Sequence, residues 1–92
     1  MSKENFKEIK NTEIITLPLI NEKDDPYRPD ITNQFRNQKG RKVFGLVEEN
    51  KKLVLATLSI AFVNKVPRDI EELDRRTNAK GRIVCIYSIW EY

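Results

Sequence analysis

The sequence predicts a small α+β domain, a mostly antiparallel four-stranded sheet with two short helices. Three observations predict it. Four runs rich in β-branched and aromatic residues, EIITLPLIN, KVFGLVEE, KLVLATLSIAFV and RIVCIYSIWEY, read as strands. Two intervening stretches, ITNQFRNQ and RDIEELDRR, place apolar residues at helical spacing. The 92 residues, 39% hydrophobic and 34% charged, suit one domain over residues 1–92.

Taken in order, residues 1–12 read as a flexible N-terminal arm, and Glu13 to Asn21 as the first strand. Pro18 has no N–H for a ladder, which moves that strand to a sheet edge or a bulge. Asn21 to Asp30 is a turn-rich loop. Asp30 is placed to cap a helix of about two turns, in which Ile31 and Phe35 share a face at i, i+4. Gly40 ends it. Lys42 to Glu49 and Lys52 to Val63 are strands joined by the polar link ENKK, so they are expected to pair antiparallel. Pro67 suits the first turn of the second helix, which puts Ile70 and Leu73 on one side and Glu71 or Glu72 within reach of Arg75 or Arg76. Gly81 closes that helix, and Arg82 to Tyr92 is the last strand.

Two architectures accept this β-α-β-β-α-β order. In a ferredoxin-like split βαβ, each helix is a right-handed crossover between parallel strands. In an antiparallel meander, the second helix is an insertion in the third connection.

Composition narrows the chemistry. The chain has no histidine, which removes the usual general base near neutral pH and the commonest nitrogen ligand for metals. No catalytic residue, metal ligand or cofactor is assigned. The single cysteine, Cys85, reads as a small buried hydrophobe in mid-strand. No apolar run is long enough to span a bilayer, and MSKENFKEIK lacks the apolar core of a secretory signal, so the expectation is a cytoplasmic protein without a membrane partner.

The run KKLVLATLSIAFVNKVPRDIEEL followed by IVCIYSI resembles the acetyltransferase-type (GNAT) fold, and most of all the C-terminal domain of malonyl-CoA decarboxylases. The runs that carry the likeness are SIAF, KVPRDIEEL and IYSI. The resemblance implies the first half of such a scaffold, truncated before the loop that binds the coenzyme A pyrophosphate. It makes Ser88 the nearest counterpart of the decarboxylase serine, while the histidine that serves that serine has no equivalent here. An acyl-CoA ligand would then require a second chain to supply the loop, as in a relic or split domain. The pattern is also similar to that of small phage proteins, which implies host cytoplasm.

Two basic clusters precede strands: Arg36, Lys39, Arg41 and Lys42 before the second, and Arg75, Arg76, Lys80 and Arg82 before the fourth. In the meander these strands are parallel, so the clusters meet at one end of the sheet and offer an anion-binding patch; in the ferredoxin-like arrangement they lie at opposite ends. As solvated connections they need no ligand. RKVFGLVEE also echoes the strand with which RNA-recognition domains stack bases, through Lys42, Phe44, Gly45 and Val47. IITLPL lacks the second aromatic, and Phe44 reads as core.

The strongest physical signal is excess apolar surface. The third strand points Val54, Ala56, Leu58, Ile60 and Phe62 one way and Leu53, Leu55, Thr57, Ser59, Ala61 and Val63 the other, and the fourth is apolar on both faces. With both helices on one face, the other is expected to be open around Leu53, Leu55, Cys85, Tyr87 and Ile89, unless the N-terminal ten residues or the loop at 21–30 fold over it. The expected function is a non-enzymatic interaction module, self-associating or capping a protein partner through its C-terminal strand. Its contact residues are Tyr87, Ile89, Trp90 and Tyr92 with Leu53 and Leu55. Nucleic-acid binding by the basic patch is the alternative, and a residual acyl-CoA site the third.

Overall fold

The computed structural model describes residues 12–48 and 53–92. Its strands are β1 (Thr12–Thr16), β2 (Arg41–Glu48), β3 (Val54–Val63) and β4 (Ile83–Glu91), and its helices α1 (Asn33–Arg36) and α2 (Ile70–Arg76). They form one four-stranded sheet in the order β1-β2-β3-β4, every neighbouring pair antiparallel. The domain is therefore the α+β meander, and the ferredoxin-like alternative is corrected. A crossover must carry the chain back along a whole strand. At about 1.5 Å per residue, α2 spans only about 10 Å against a strand of roughly 30 Å. The N-terminal arm at 1–11 and the ENKK link at 49–52 lie outside the described residues, although Thr12 is already in β1.

β1 stops at Thr16 rather than Asn21. Leu17 donates one more hydrogen bond, to the Val43 carbonyl at 2.9 Å, and Pro18 then offers no donor. The chain leaves the sheet into a short 3-10 turn, Glu22–Asp24, capped by the Asn21 side chain. α1 is one turn and begins later than Asp30 suggests. A turn closed by Ile31 N–H on the Arg28 carbonyl uses up the residues before it, and the Thr32 hydroxyl becomes the cap, accepting from Phe35 N–H at 3.1 Å. Gly40, with φ of 89°, then turns the chain into β2.

α2 begins after an Asp69 cap that accepts from Glu72 N–H at 2.8 Å. Glu72 joins Arg68 at 2.7 Å and Arg76 at 3.3 Å, both at i, i+4 spacing. The helix stops at Thr77, whose hydroxyl donates to the Leu73 carbonyl at 2.7 Å. Gly81 lies in the following turn, where a Cβ would stand 2.7 Å from Val63 backbone atoms.

Both helices cover the same face. Ala61, Val63, Leu73 and Tyr87 form the buried cluster, with Ile31, Phe35, Ile70, Ile83 and Cys85 against it. Two bulges decide which residues face this core. On β3, Leu46 pairs with Ala56 and Val47 with Val54, leaving Leu55 unmatched; on β4, Ser59 pairs with Ser88 and Ile60 with Ile86, leaving Tyr87 unmatched.

Candidate protein-binding face

The covered face is held by a buried ion pair. Asp25 and Arg36 are both fully buried, and Arg36 Nη2 donates to Asp25 Oδ2 at 2.9 Å. Every other polar position of the pair is also used. Arg36 reaches the Ser59 hydroxyl at 3.0 Å and the carbonyls of Ile31 and Arg28 at 3.0 and 2.8 Å. Asp25 accepts from the Ser88 hydroxyl at 2.6 Å and from Tyr27 and Arg28 N–H at 2.9 and 2.8 Å. Burial raises the Asp25 carboxyl, but Ser88, the two amides and Arg36 together outweigh it and hold the group below its ordinary value. The pair thus ties the loop at 21–30 and α1 onto β3 and β4. That loop does fold over a sheet face, the one carrying Tyr87.

The open face is consequently the other one. Of the residues expected around the opening, Cys85 and Tyr87 lie on the covered side and Leu55 is half-buried at the β3 bulge. The helices and the loop at 21–30 close the face of Ala61 and Val63, to which Cys85 and Tyr87 belong, and the β4 bulge moves Ile89 alone to the other face. The apolar residues on the uncovered side are Ile14 of β1, Phe44 and Leu46 of β2, Ala56, Leu58, Ile60 and Phe62 of β3, and Val84, Ile86 and Ile89 of β4, of which Ile60 is itself buried. Ile14 is 72% exposed, and Val84, Ile86 and Ile89 are all above half. A cleft of about 190 Å³ lies at its centre between Ile14, Phe44, Leu46, Ala56, Leu58 and Ile89. Phe44, expected in the core, belongs to this face.

The expected contact residues divide between the two sides. Ile89, Leu53 and Tyr92 are exposed, whereas Tyr87 and Trp90 are buried. The Trp90 ring lies 5.9 Å from the Arg36 guanidinium, and Tyr87 meets Phe35 edge-on at 6.0 Å. Tyr92 donates to Asp24 Oδ2 at 3.0 Å. Three buried polar atoms, Thr57 Oγ1, the Tyr87 hydroxyl and Trp90 Nε1, have no partner among the described residues. The free edge of β4 is blunted: the carbonyl of bulged Tyr87 accepts from Arg28 Nε at 3.1 Å. A cavity of about 510 Å³ beside it is lined by Tyr27, Arg28, Ile86, Tyr87, Ser88 and Ile89.

The two basic clusters do lie at one end of the sheet, with Gly40 against Thr77 and Ala79. The structure takes three of their cations for internal work. Arg36 is in the buried pair, and Arg76 is joined to Glu72. Arg41 is 5% exposed; it lies 3.9 Å over the Phe35 ring and bonds Asp74 at 2.6 Å and Thr77 at 3.0 Å. Lys39, Lys42, Arg75, Lys80 and Arg82 remain exposed. Sequence reasoning missed Asp25 altogether, and its only signal was an acidic residue opening the turn-rich DPYRP.

Among the described residues no cluster of His, Cys, Asp and Glu suits a metal ion, and no helix is long and apolar enough to cross a membrane. Burial pushes the Cys85 thiol up, against a smaller opposing pull from Arg28. Ser88, the residue singled out by the acetyltransferase-type resemblance, is 4% exposed and donates to a carboxylate that is itself held by an arginine. No family model, curated protein or solved structure matches the chain. The resemblance stands on the quoted residues alone.

Proposed function

We propose that the protein is a non-enzymatic interaction module that binds a protein through the open face of its sheet, to which the C-terminal strand contributes Val84, Ile86 and Ile89. The observation that carries this reading is the continuity of the apolar surface across all four strands while both helices and the loop at 21–30 sit on the other side. At about 4.8 Å between strands, such a face measures on the order of 500 Å² in projection, within the range of patches that mark contact sites. The blunted β4 edge favours docking onto the face over addition of a strand. A photo-crosslinking residue at position 86, compared with one at exposed Val66 outside the sheet, tests it. Protein adducts are expected from position 86 alone; equal yields from both positions, or none, would overturn the reading.

Nucleic-acid binding is the second reading, favoured by one observation. The exposed cations Lys39, Lys42, Arg75, Lys80 and Arg82 share the end of the sheet where Phe44 and Phe62 lie on the open face. Its test is salt: binding of an oligonucleotide should weaken steeply as ionic strength rises, and Lys42→Ala should reduce the slope. The aliphatic character of the rest of the face supports a protein partner instead.

A further inference from the structure

Resting on the reading of the open face as a docking surface, we propose that its occupant is a second copy of this chain, packed sheet to sheet about a two-fold axis that runs across the strands. The open-face positions of the strands carry three charges, Lys42 and Glu48 on β2 and Glu91 at the end of β4. Along β2 the open-face positions are Lys42, Phe44, Leu46 and Glu48, with a cation at one end and an anion at the other. Neither Lys42 nor Glu48 makes an ion pair among the described residues.

A two-fold assembly is self-complementary, so the same face must satisfy itself. Two axes bring two copies of the face together with β2 over β2. An axis along the strands preserves strand direction and puts Lys42 over Lys42 and Glu48 over Glu48. An axis across the strands reverses direction while keeping β2 over β2. It passes at the level of Gly45, midway between the two charges, and puts Lys42 over Glu48 of the second copy and Glu48 over its Lys42. Like charges set face to face are penalised and opposite charges fix register, so the second axis is selected.

The apolar residues of β2 and β3 agree with that choice. Phe44, Leu58 and Ile89 lie at one level of the sheet, and Leu46, Ala56 and Ile14 at the adjacent one. The crossing axis sets Phe44 over Leu46 and Leu58 over Ala56 of the second copy at the central cleft, while Ile89 at the edge falls over Glu91. The twist of the two sheets sets their strands about 30° apart, with about 10 Å between them. Two faces of this size reach the roughly 1,000 Å² that a specific interface requires. The first eleven residues hold only Met1, Phe6 and Ile9 as large apolar groups, too few to cover nine exposed or half-buried apolar positions.

Charge reversal tests the arrangement on the full chain. Sedimentation velocity is measured at low salt for the wild type, Lys42→Glu, Glu48→Lys, the double variant, and an equimolar mixture of the two single variants. Each single variant should raise the dimer dissociation constant by about tenfold or more. The double variant should recover it, and so should the mixture, because a chain with two glutamates then faces one with two lysines. A wild-type dimer that Ile86→Lys dissociates but whose affinity ignores the charge swaps would overturn this arrangement and leave the docking face standing. A wild type that stays monomeric while the crosslinking residue at position 86 captures a protein of another mass would put a different protein on the face and overturn the second copy. A monomer whose melting temperature falls on Ile86→Lys would place the chain's own first eleven residues there and overturn both readings.

Discussion

The Ser88 hydroxyl of β4 donates a 2.6 Å hydrogen bond to the Asp25 carboxylate, joining residues 63 positions apart beneath the loop that covers the sheet. Arg36 neutralises the same carboxylate oxygen from α1, and its own Nη1 reaches Ser59 of β3. One buried carboxylate therefore fixes which face of the sheet is closed, and by exclusion which face is open.

Removing one partner of this pair strands the other without water. Arg36→Met is expected to cost about 3–5 kcal/mol, measured by urea denaturation. Arg36→Met combined with Asp25→Leu should cost clearly less than the sum of the two single changes, because no uncompensated charge remains buried.

Acid should open the same lock. The Asp25 carboxyl lies below its ordinary value of 3.8 in the folded chain, so the stability it contributes is complete above that value. It is lost as pH falls through the lower folded-state value. Denaturation followed from pH 6 downwards should show stability declining below about pH 4, and Asp25→Asn should be less stable at pH 6 but flatter over the acidic range.

Thr57 is 2% exposed and its hydroxyl has no partner among the described residues. Thr57→Val keeps the shape and removes the unpaired group. It is expected to stabilise the domain by about 1 kcal/mol, read as a rise in melting temperature.

The basic cluster should separate into structural and surface members. Arg41→Ala loses the Phe35 stack and the bonds to Asp74 and Thr77, and is expected to cost about 2–3 kcal/mol. Arg75→Ala, at an exposed position, should stay within about 0.5 kcal/mol of the wild type. Thermal unfolding of the two variants checks the difference.

The strands and their antiparallel pairing were legible because apolar runs broken by Pro, Gly and polar links are local signals. Ile31 and Phe35 do pack against one core, but not as a helical pair, since Ile31 precedes α1. Helix starts were misplaced where a preceding turn claimed the cap, as Arg28 and Ile31 do before α1. The open face was legible as a surplus of apolar residues, but its membership was not. In strands apolar on both sides, period-2 alternation carries no parity, and the bulges at Leu55 and Tyr87 leave no mark in the sequence. The roles of Arg36 and Arg41 were hidden for a different reason. Arg36 meets a carboxylate 11 positions away and Arg41 one 33 positions away, so nothing local distinguishes them from solvated cations.

Sedimentation velocity on the full chain across a hundredfold concentration range, with Ile86→Lys and Val66→Lys measured beside the wild type, tests most directly whether the open face holds a second copy. Wild type and Val66→Lys are expected to move from the 10.9 kDa monomer to twice that mass as concentration rises, while Ile86→Lys stays monomeric and folded. Three indistinguishable monomers would contradict it.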